Sequence, residues 1–402
     1  MFRILKITSY YKVALEYYYD KFPQVSMLSF DEQLNHLLGF GLGWADYYKK
    51  AFEKLGVEAF ELIANAKSMQ QAWAQENNVK YDKLSVLLNQ IETIKPDVIW
   101  FQDSMIFPAD FYNKVRKINT VKLLIGNCCT PYTKENIEVF KKFDFVTSCS
   151  PLFIDDFKNH GIKTLLLYHA FDRSILKETE TKEKQFDVFF SGSIIGTKGF
   201  HFERKKMLEH IINSNVDLKL YGFADNSTIK DFIKKSGLYT FIKVADYTGL
   251  SFLFNDNEIY RKGKQISSFP VFNRISKKLK EQMFPPVFGI DMYKQLAAAK
   301  ISLNKHGEVA SGYAVNMRMF ETTGVGSILM TENYRNLTEL FKPDEEVVTY
   351  NSFDEAVEKI NWLLDNPGKM KQIALEGQKR TLHDHSYGNR AKIIVEEIMK
   401  YL

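Results

Sequence analysis

The sequence predicts an α/β protein built from two domains, each with a parallel sheet. Short apolar runs alternate with segments long enough for crossover helices, which is typical of parallel strands covered on both faces. The runs fall into two sets, separated by a charged stretch without apolar periodicity. A chain of 402 residues, 45% hydrophobic and 26% charged, can bury two cores of ordinary size.

The first set of apolar runs predicts the strands of an N-terminal domain, residues 1–170. These strands are residues 3–8, 57–62, 97–101, 122–125, 144–148 and 163–167. Residues 171–186 gain charge and lose apolar periodicity, so we interpret them as a solvated linker.

The second set predicts a C-terminal domain, residues 187–385. Its strands are residues 187–191, 218–221, 300–303, 327–331 and 346–350. Between residues 248 and 289 aromatic residues are mixed with Lys and Arg without a clear period, and we treat this stretch as an insertion without an assigned structure. Residues 386–402 predict a final helix.

Composition excludes several classes of protein. A net charge of +5 spread over the chain is too diffuse to indicate a nucleic-acid partner. Adjacent Cys128 and Cys129, with Cys149 as the third cysteine, do not form a disulfide framework, and no ligand spacing in the sequence indicates a metal. No apolar stretch approaches the ~18–20 residues of a membrane span. We expect a cytoplasmic protein with at most peripheral membrane association.

The most informative stretch is residues 300–332. It predicts a buried strand, a Gly-containing loop, a short polar-faced helix and a second buried strand, an order in which a Rossmann-like domain presents a nucleotide diphosphate. A helix beginning near Val315 would direct free backbone N–H groups toward the loop, where they favour an anion.

Two charged residues of this predicted helix, Arg318 and Glu321, are three positions apart and share one face. A guanidinium can hold phosphate oxygens, and a carboxylate can accept hydrogen bonds from ribose hydroxyls. The alternative is an intrahelical ion pair on the surface. The position at the ligand end of the sheet favours the functional interpretation.

The residues Asn-Met-Arg-Met-Phe-Glu at 316–321 and Gly-Val-Gly-Ser-Ile-Leu-Met-Thr-Glu at 324–332 carry a family resemblance. With them, this sequence resembles GT-B glycosyltransferases of the "glycosyl transferases group 1" type, especially the CgeB-like branch. Further matching pieces occur in the same order, at residues 189–193 with Arg204 after them, 288–293, 346–350 and 385–387 with Arg390 after them.

This resemblance implies a GT-B fold, in which two Rossmann-like domains face an interdomain cleft. It implies that the C-terminal domain binds a nucleotide-sugar donor, that the N-terminal domain binds the acceptor, and that the last helix crosses back to the N-terminal domain. Related enzymes often carry two glutamates with seven residues between them, but the first of these positions is Tyr313 here. Glu321 keeps the implied ribose-binding role, and contacts to the sugar fall to His306 or Glu308.

We predict a donor-binding set from the loops of the C-terminal domain. Gly192 and Gly196 would let the backbone approach a pyrophosphate, and Lys198 or Arg204 would offset its charge, although Ser-Gly-Ser after a strand is commonly a plain turn. The full set is Gly192, Ser193, Lys198, Arg204, Tyr221, Gly222, Asn304, His306, Ser311, Gly312, Asn316, Arg318 and Glu321.

On the N-terminal side the Gly-rich segment 36–47 is the most suggestive. It does not match a dinucleotide fingerprint, but in the resembled fold such a loop lies near the acceptor. His36 or Asp46 is therefore a candidate general base, with helix capping or a surface contact as the alternative. The candidates for the acceptor site or cleft are Gly41, Gly43, Asp103 and His169, the last two with a solvated carboxylate and a hinge-packing histidine as alternatives.

The predicted activity is transfer of a hexosyl or related sugar from a nucleotide-sugar to a hydroxyl of a bacterial glycan, lipid-linked saccharide or protein. No metal and no other cofactor is expected, since no Asp-x-Asp motif is evident. The alternatives are a nucleotide-sugar epimerase or phosphorylase on the same fold, and a non-catalytic sugar- or nucleotide-binding protein.

Overall fold

The computed structural model describes residues 2–179, 183–194, 201–224, 228–254, 257–264, 266, 269–270, 272 and 275–402. These residues form two six-stranded sheets in which every strand pair is parallel. The strand order is β2-β1-β3-β4-β5-β6 in the first sheet and β12-β11-β10-β7-β8-β9 in the second. The α/β class with two parallel sheets is therefore confirmed.

The first sheet is formed by the N-terminal part of the chain. Its strands are β1 (Arg3–Thr8), β2 (Glu58–Ile63), β3 (Val98–Phe101), β4 (Leu123–Asn127), β5 (Phe145–Ser148) and β6 (Thr164–Leu166). The helices around it are α1 (Lys12–Lys21), α2 (Phe30–Gly39), α3 (Tyr47–Lys54), α4 (Lys67–Glu76), α5 (Lys83–Ile94), α6 (Ala109–Val115), α7 (Lys134–Phe140) and α8 (Pro151–Asn159).

The second sheet follows in the chain. Its strands are β7 (Phe186–Ser191), β8 (Leu218–Tyr221), β9 (Met283–Phe284), β10 (Ala299–Leu303), β11 (Ile328–Glu332) and β12 (Val348–Tyr350). The remaining helices are α9 (Leu176–Thr179), α10 (Phe202–Asn213), α11 (Ile229–Tyr247), α12 (Glu258–Lys264), α13 (Lys277–Glu281), α14 (Gly289–Ala298), α15 (Arg318–Gly324), α16 (Leu337–Leu340), α17 (Phe353–Asp365), α18 (Pro367–Asp384) and α19 (Tyr387–Ile398).

All eleven predicted strands coincide with observed strands to within two residues at each end. The apolar pattern of the sequence was sufficient to locate these strands, because strands of a parallel sheet are buried on both faces and consist of apolar runs. Strand β9 was missed, since two residues at the sheet edge do not make a run. It lies in the stretch 248–289 that the sequence left without an assigned structure.

The prediction that residues 171–186 are a solvated linker is wrong in part. Phe171, Ile175 and Thr179 are buried. The backbone N–H of Phe171 donates to the carbonyl of His385 (2.9 Å), and the Phe171 ring packs so closely on Gly324 that an added Cβ would lie 2.3 Å from it. Only two of these three buried side chains are apolar, and they lie among many charges, so they give no hydrophobic period.

The C-terminal helix α19 packs against α3 of the N-terminal half. The Tyr387 ring meets the Tyr48 ring edge-on, with centroids 4.9 Å apart. The Arg390 guanidinium donates to the carbonyls of Tyr168 (2.9 Å) and His169 (3.3 Å), just beyond β6. Within the described residues, no helix combines the length and the apolarity needed to cross a membrane.

A buried ion pair joins β1 to the outer strand β2 of the first sheet. Lys6 of β1 and Glu61 of β2 are register partners, and Lys6 Nζ lies 2.9 Å from Glu61 Oε2. The same ammonium donates to Thr8 Oγ1 (2.9 Å) and to the carbonyl of Ala45 (3.3 Å) in the Gly-rich loop. Burial raises the pKa of Glu61 to about 7, although Lys6 opposes this shift. The pair therefore connects the sheet to the Gly-rich loop.

Candidate functional site

A polar network follows β10 at the carboxyl edge of the second sheet. Asn304 Nδ2 donates to Thr331 Oγ1 (3.0 Å) and lies 3.1 Å from His306 Nε2, while Asn316 Nδ2 donates to Asn304 Oδ1 (2.8 Å). Asn304 and His306 are buried. The structure thus brings three of the predicted donor-binding residues together, at the edge where open α/β sheets bind ligands.

His306 is a neutral imidazole in this network. Burial, together with the charges of Lys305 and Arg204, lowers the pKa of His306 to about 3. Its Nδ1 is buried without a hydrogen-bond partner among the described residues, and its ring packs on Tyr334 with centroids 5.0 Å apart. Because Nε2 accepts from the Asn304 amide, the neutral ring carries its proton on Nδ1 and can donate it to a sugar hydroxyl without adding charge.

Arg204 of α10 joins the loops that follow β7 and β10. Its guanidinium donates to the carbonyls of Ser193 (2.9 Å) and Lys305 (3.1 Å). Burial lowers the pKa of Arg204 to about 10, so the side chain stays charged at neutral pH. Its Nε is buried without a hydrogen-bond partner in the described part of the chain. The site therefore contains a fixed, desolvated positive charge.

The glycines after β7 and β8 serve close backbone packing. A Cβ on Gly222 would lie 2.1 Å from the carbonyl oxygen of Gly192, and one on Gly192 would lie 2.9 Å from Arg204 Nη1. The small size of these two glycines therefore allows their backbones to approach each other, besides allowing the approach of any ligand. Tyr221 packs its ring on Phe284 (centroids 5.1 Å apart) and donates to Gln295 Oε1 (3.0 Å), which are packing contacts.

Ser311 and Gly312 form the turn that leads into the polar network. Both have left-handed backbone conformations, with φ of 47° and 82°. The carbonyl of Gly312 accepts from the N–H of Arg335 (3.0 Å), which ties the turn to the loop after β11. The predicted Lys198, like Gly196, lies outside the described residues.

The helix α15 begins at Arg318, and the prediction that it begins near Val315 is wrong. Asn316 Oδ1 accepts from the N–H of Arg318 (2.9 Å), so this N–H is occupied by a side chain and is not free for an anion. The residues before Arg318 instead form an irregular loop, in which the Asn316 side chain joins the network around Asn304.

Arg318 and Glu321 form an ion pair, with Arg318 Nη1 2.7 Å from Glu321 Oε2. The intrahelical pair that was the alternative to a functional role is therefore present, but its side chains are 19% and 4% exposed, so it does not lie on the surface. Tyr293 donates its hydroxyl to the other carboxylate oxygen, Glu321 Oε1 (3.2 Å). Arg318 is therefore the accessible member of the pair, held in place by a buried carboxylate.

Sequence reasoning missed a second group at this edge. Lys305 pairs with Glu332, which also accepts from the N–H of His306 (2.8 Å) and the hydroxyl of Tyr334 (2.9 Å). Tyr350 donates to the carbonyl of Asn304 (2.9 Å). Glu332 is the last residue of β11, and a charge at the carboxyl end of a buried strand was the signal that could have identified it.

The Gly-rich loop of the N-terminal half contacts the C-terminal half. The carbonyl of Phe40 accepts from the N–H of Ile290 (2.9 Å) at the start of α14. Gly41 and Gly43 have positive φ of 75° and 56°. Ile290 also lies within 3.4 Å of the Cβ position of Gly41, so this loop forms part of the contact between the two halves.

The two candidate general bases lie in different surroundings. His36 Nδ1 is 2.6 Å from the Tyr18 hydroxyl, and His36 lines a cavity of about 390 Å³ between α2 and α14, together with Asp291 and Lys294. Asp46 pairs with Lys50 (2.9 Å) at the start of α3. Asn304, His306, Arg318 and Glu321 do not line the cavity that contains His36.

Asp103 and His169 both lie at the carboxyl edge of the first sheet. Asp103 Oδ2 accepts from Ser9 Oγ (3.0 Å), and His169 Nδ1 accepts from Trp44 Nε1 (3.4 Å). The ligand atoms of His169, Cys129 and Cys149 lie within 4.8 Å of one another. The three residues follow three different strands, so no sequence spacing revealed the cluster. Two thiols and an imidazole are ligands that suit a soft metal ion.

Comparison with known proteins gives a family match over part of the chain. Residues 276–396 match the sequence family described as glycosyl transferase-like. No curated protein matches the chain.

Solved structures that resemble the whole chain share its two-sheet architecture. Anabaena HepE in complex with UDP and glucose superposes with a TM-score of 0.53 at 12% identity, covering 100% of both chains. Sucrose-phosphate synthase from Thermosynechococcus elongatus gives 0.53 at 9% identity, covering 100% of this chain and 99% of that chain. A glycosyltransferase from Rickettsia africae gives 0.50 at 12% identity, covering 100% and 98%. The fold is therefore GT-B.

Proposed function

We propose that the protein is a glycosyltransferase that moves a sugar from a nucleoside-diphosphate sugar to a hydroxyl acceptor. The observation that carries this proposal is the cationic, hydrogen-bonded edge of the second sheet, formed by Arg204, Arg318 and the Asn304–His306–Asn316 network. This edge lies largely within the segment that matches the glycosyl transferase-like family.

The departing group in such a reaction is a nucleoside diphosphate, whose negative charge grows as the glycosidic bond breaks. Fixed positive charges stabilise it best when they are desolvated and need no reorganisation. Arg204 is 7% exposed and hydrogen-bonded to two loops, and Lys305 is fixed by Glu332. We propose that these cations, with Arg318, stabilise the leaving group without a metal ion.

Glu321 is proposed to bind the ribose. Each of its oxygens already accepts one hydrogen bond, from Arg318 or Tyr293, and a carboxylate oxygen can accept a second. Because Glu321 is only 3% exposed, the ribose hydroxyls reach it only if they share or replace these two contacts. Arg318 would then turn toward the diphosphate.

The acceptor is proposed to enter from the N-terminal side of the cleft, where Asp103 and His169 lie at the edge of the first sheet. A glycan, a lipid-linked saccharide or a protein on the cytoplasmic side would supply the hydroxyl. His36 and Asp46 remain the proposed general bases, and substituting each one separately would distinguish them.

The test is nucleotide binding by the wild type and by Glu321→Gln. A thermal-shift panel of UDP, GDP, CDP, CMP, dTDP and ADP selects the base, and calorimetry then gives the affinity. We expect Glu321→Gln to bind the selected diphosphate about tenfold or more weakly, because a charge-assisted hydrogen bond is lost. Release of nucleotide that depends on an added acceptor distinguishes transfer from simple binding.

The matched control is Glu376→Gln. Glu376 pairs with Lys379 three residues away on α18 at 2.7 Å, but this pair is exposed and distant in sequence from the network. Its removal should leave the affinity unchanged. If the Glu321→Gln variant bound the diphosphate with wild-type affinity, Glu321 would not bind the ribose. If the wild type bound none of the nucleotides, the proposed function would be contradicted.

A further inference from the structure

Three side chains with sulfur or nitrogen ligand atoms converge at the carboxyl edge of the first sheet. The ligand atoms of Cys129, Cys149 and His169 all lie within 4.8 Å of one another. Among the residues that the structure describes, no other group of three or more His, Cys, Asp or Glu side chains is arranged closely enough to hold a metal ion. The proposed glycosyl transfer uses neither thiol, so the cluster needs an explanation of its own.

The backbone fixes the two cysteines side by side. Strands β4 and β5 pair in parallel with Asn127 opposite Thr147, and the N–H of Cys128 donates to the carbonyl of Thr147 (3.0 Å). Two residues beyond this pair, the N–H of Cys149 donates to Cys129 Sγ (3.3 Å). The register of the sheet therefore places Cys129 and Cys149 on neighbouring segments.

His169 reaches the cluster from the chain beyond β6. The N–H of Leu167 donates to the carbonyl of Ser148 (2.8 Å), which keeps this segment beside the end of β5. The Arg390 guanidinium of α19 donates to the carbonyls of Tyr168 (2.9 Å) and His169 (3.3 Å). All three residues of the cluster are thus held in place by backbone contacts that need no ion.

The set of ligand atoms identifies the kind of ion. Two thiolates and an imidazole suit zinc, whereas calcium and magnesium require oxygen ligands. Ligand atoms around a tetrahedral zinc ion are about 3.5 Å apart, so side-chain movements of about 1 Å would close the cluster on the ion. The contact that such a movement breaks at His169 is a long hydrogen bond, from Trp44 Nε1 to Nδ1 at 3.4 Å, so little is lost.

We propose that Cys129, Cys149 and His169 bind a zinc ion. Both thiols release their protons when the ion binds, and the imidazole binds through an unprotonated nitrogen. No fourth His, Cys, Asp or Glu in the described part of the chain belongs to the group, so the fourth position of the tetrahedron is open to a water molecule. Cys149 is 2% exposed, but Cys129 and His169 are half-buried, so solvent reaches the site from their side.

This ion would be bound at the edge of the first sheet, whereas the cations proposed to stabilise the leaving group belong to the second. Zinc binding requires no nucleotide, so its absence would not contradict glycosyl transfer. A bound ion would also shield both thiols from alkylation. The reactivity of these thiols is therefore measured on protein that a chelator has freed of metal.

The test is cobalt binding by the full-length protein, reduced with a phosphine and freed of metal by a chelator. Cobalt(II) reports thiolate ligands by a charge-transfer absorption in the near ultraviolet, and we expect this band to saturate at about one ion per chain. Zinc binds such sites more tightly than cobalt, so added zinc should bleach the band. Cys129→Ala and His169→Gln should each weaken zinc binding about 100-fold or more, because one of three protein ligands is lost. Competition with a chromophoric chelator measures these affinities.

The matched controls are Cys128→Ala and His160→Gln. Cys128 is the adjacent thiol, but it packs in the apolar core, and its Sγ donates to the carbonyl of Thr130 (3.3 Å). His160 follows α8, and its side chain is 47% exposed. Both controls should bind zinc like the wild type. Absence of the charge-transfer band in the wild type, wild-type zinc affinity in Cys129→Ala or His169→Gln, or an equal loss of affinity in Cys128→Ala would overturn the proposal.

Discussion

Two buried ion pairs show how the halves of this molecule use charge differently. Lys6 and Glu61 have side chains that are 2% and 1% exposed, and Lys6 bonds to the carbonyl of Ala45 and to Thr8. Arg318 and Glu321 are 19% and 4% exposed, and they lie on the helix that follows the polar loop of the second sheet. The first pair holds the backbone of a loop, while the second leaves its cation accessible.

The difference lies in what surrounds each cation. The Lys6 ammonium lies within hydrogen-bond distance of four oxygen atoms, including Gln102 Oε1 at 3.3 Å. All three of its N–H donors therefore have partners within the protein. Arg318 has five N–H donors in a fixed fork, and only part of this fork meets Glu321. Arg318, with unused donors at the edge of the sheet where ligands bind, can bind an anion. Lys6, whose donors are all used within the protein, has a structural role.

The largest effect should come from breaking the first pair. Lys6→Met leaves Glu61 buried without its counter-charge, and we expect a loss of about 3–5 kcal/mol in the free energy of unfolding. The double substitution Lys6→Met and Glu61→Met should recover a large part of this loss, because it removes both charges. Urea denaturation of the single and double variants measures both values.

The same variants sharpen the comparison of the two pairs. At a temperature where Lys6→Met is folded, its nucleotide affinity should equal that of the wild type, because Lys6 serves the loop and not the donor edge. A loss of nucleotide binding as large as that expected for Glu321→Gln would contradict the division of roles. A double variant less stable than Lys6→Met would contradict the view that the unpaired carboxylate is the cause.

The sequence predicted that the members of the second pair share one helix face, and it could not predict the first pair. Arg318 and Glu321 are three residues apart, so helical periodicity alone places them on one face. Lys6 and Glu61 are 55 residues apart in sequence and meet because β1 and β2 pair in one particular register. Contacts within one element can be predicted from spacing, whereas contacts between elements require the register.

The same limit applies to the rest of the candidate site. The eleven predicted strands follow from local apolar runs, and Asn304 and His306 follow from their place after such a run. Cys129, Cys149 and His169 come from three strand ends, so only the folded sheet brings them together.

An intermediate effect is expected on acidification, in which buried histidines of the C-terminal half and buried Glu61 of the N-terminal half contribute with opposite signs. Burial lowers the pKa of His385 from 6.5 to about 4, so its contribution to stability is present above pH 6.5 and is lost as the pH falls toward 4. His306 behaves in the same way down to about pH 3. The raised pKa of Glu61 acts in the opposite direction, because the folded state binds its proton below about pH 7 and gains stability as the pH falls from there toward 4.5.

The histidine effect can be isolated with His385→Gln. The imidazole Nε2 of His385 contacts the carbonyl of Leu340 (2.8 Å), and a glutamine amide can replace this donor. Between pH 6 and pH 5 the wild type should lose stability more steeply than the variant, by about 1 kcal/mol per pH unit. Urea denaturation across this range measures the slopes. Equal slopes would show that His385 does not carry the acid sensitivity.

The smallest effect concerns reactivity at the edge of the first sheet. Cys129 is half-buried, and hydrogen bonds from Cys149 and His169 hold the pKa of the Cys129 thiol well below its usual range. Its neighbour Cys128 is buried, and burial raises the pKa of that thiol. Because the thiolate is the nucleophile, iodoacetamide at neutral pH should alkylate Cys129 before Cys128 and Cys149. Peptide mass spectrometry over time measures the order, with Cys129→Ser as the control that should lose the fast phase. If Cys128 were labelled faster, the cluster of Cys129, Cys149 and His169 would not stabilise a thiolate. The carboxyl edge of the first sheet would then have no charged nucleophile to contrast with the cationic edge of the second sheet.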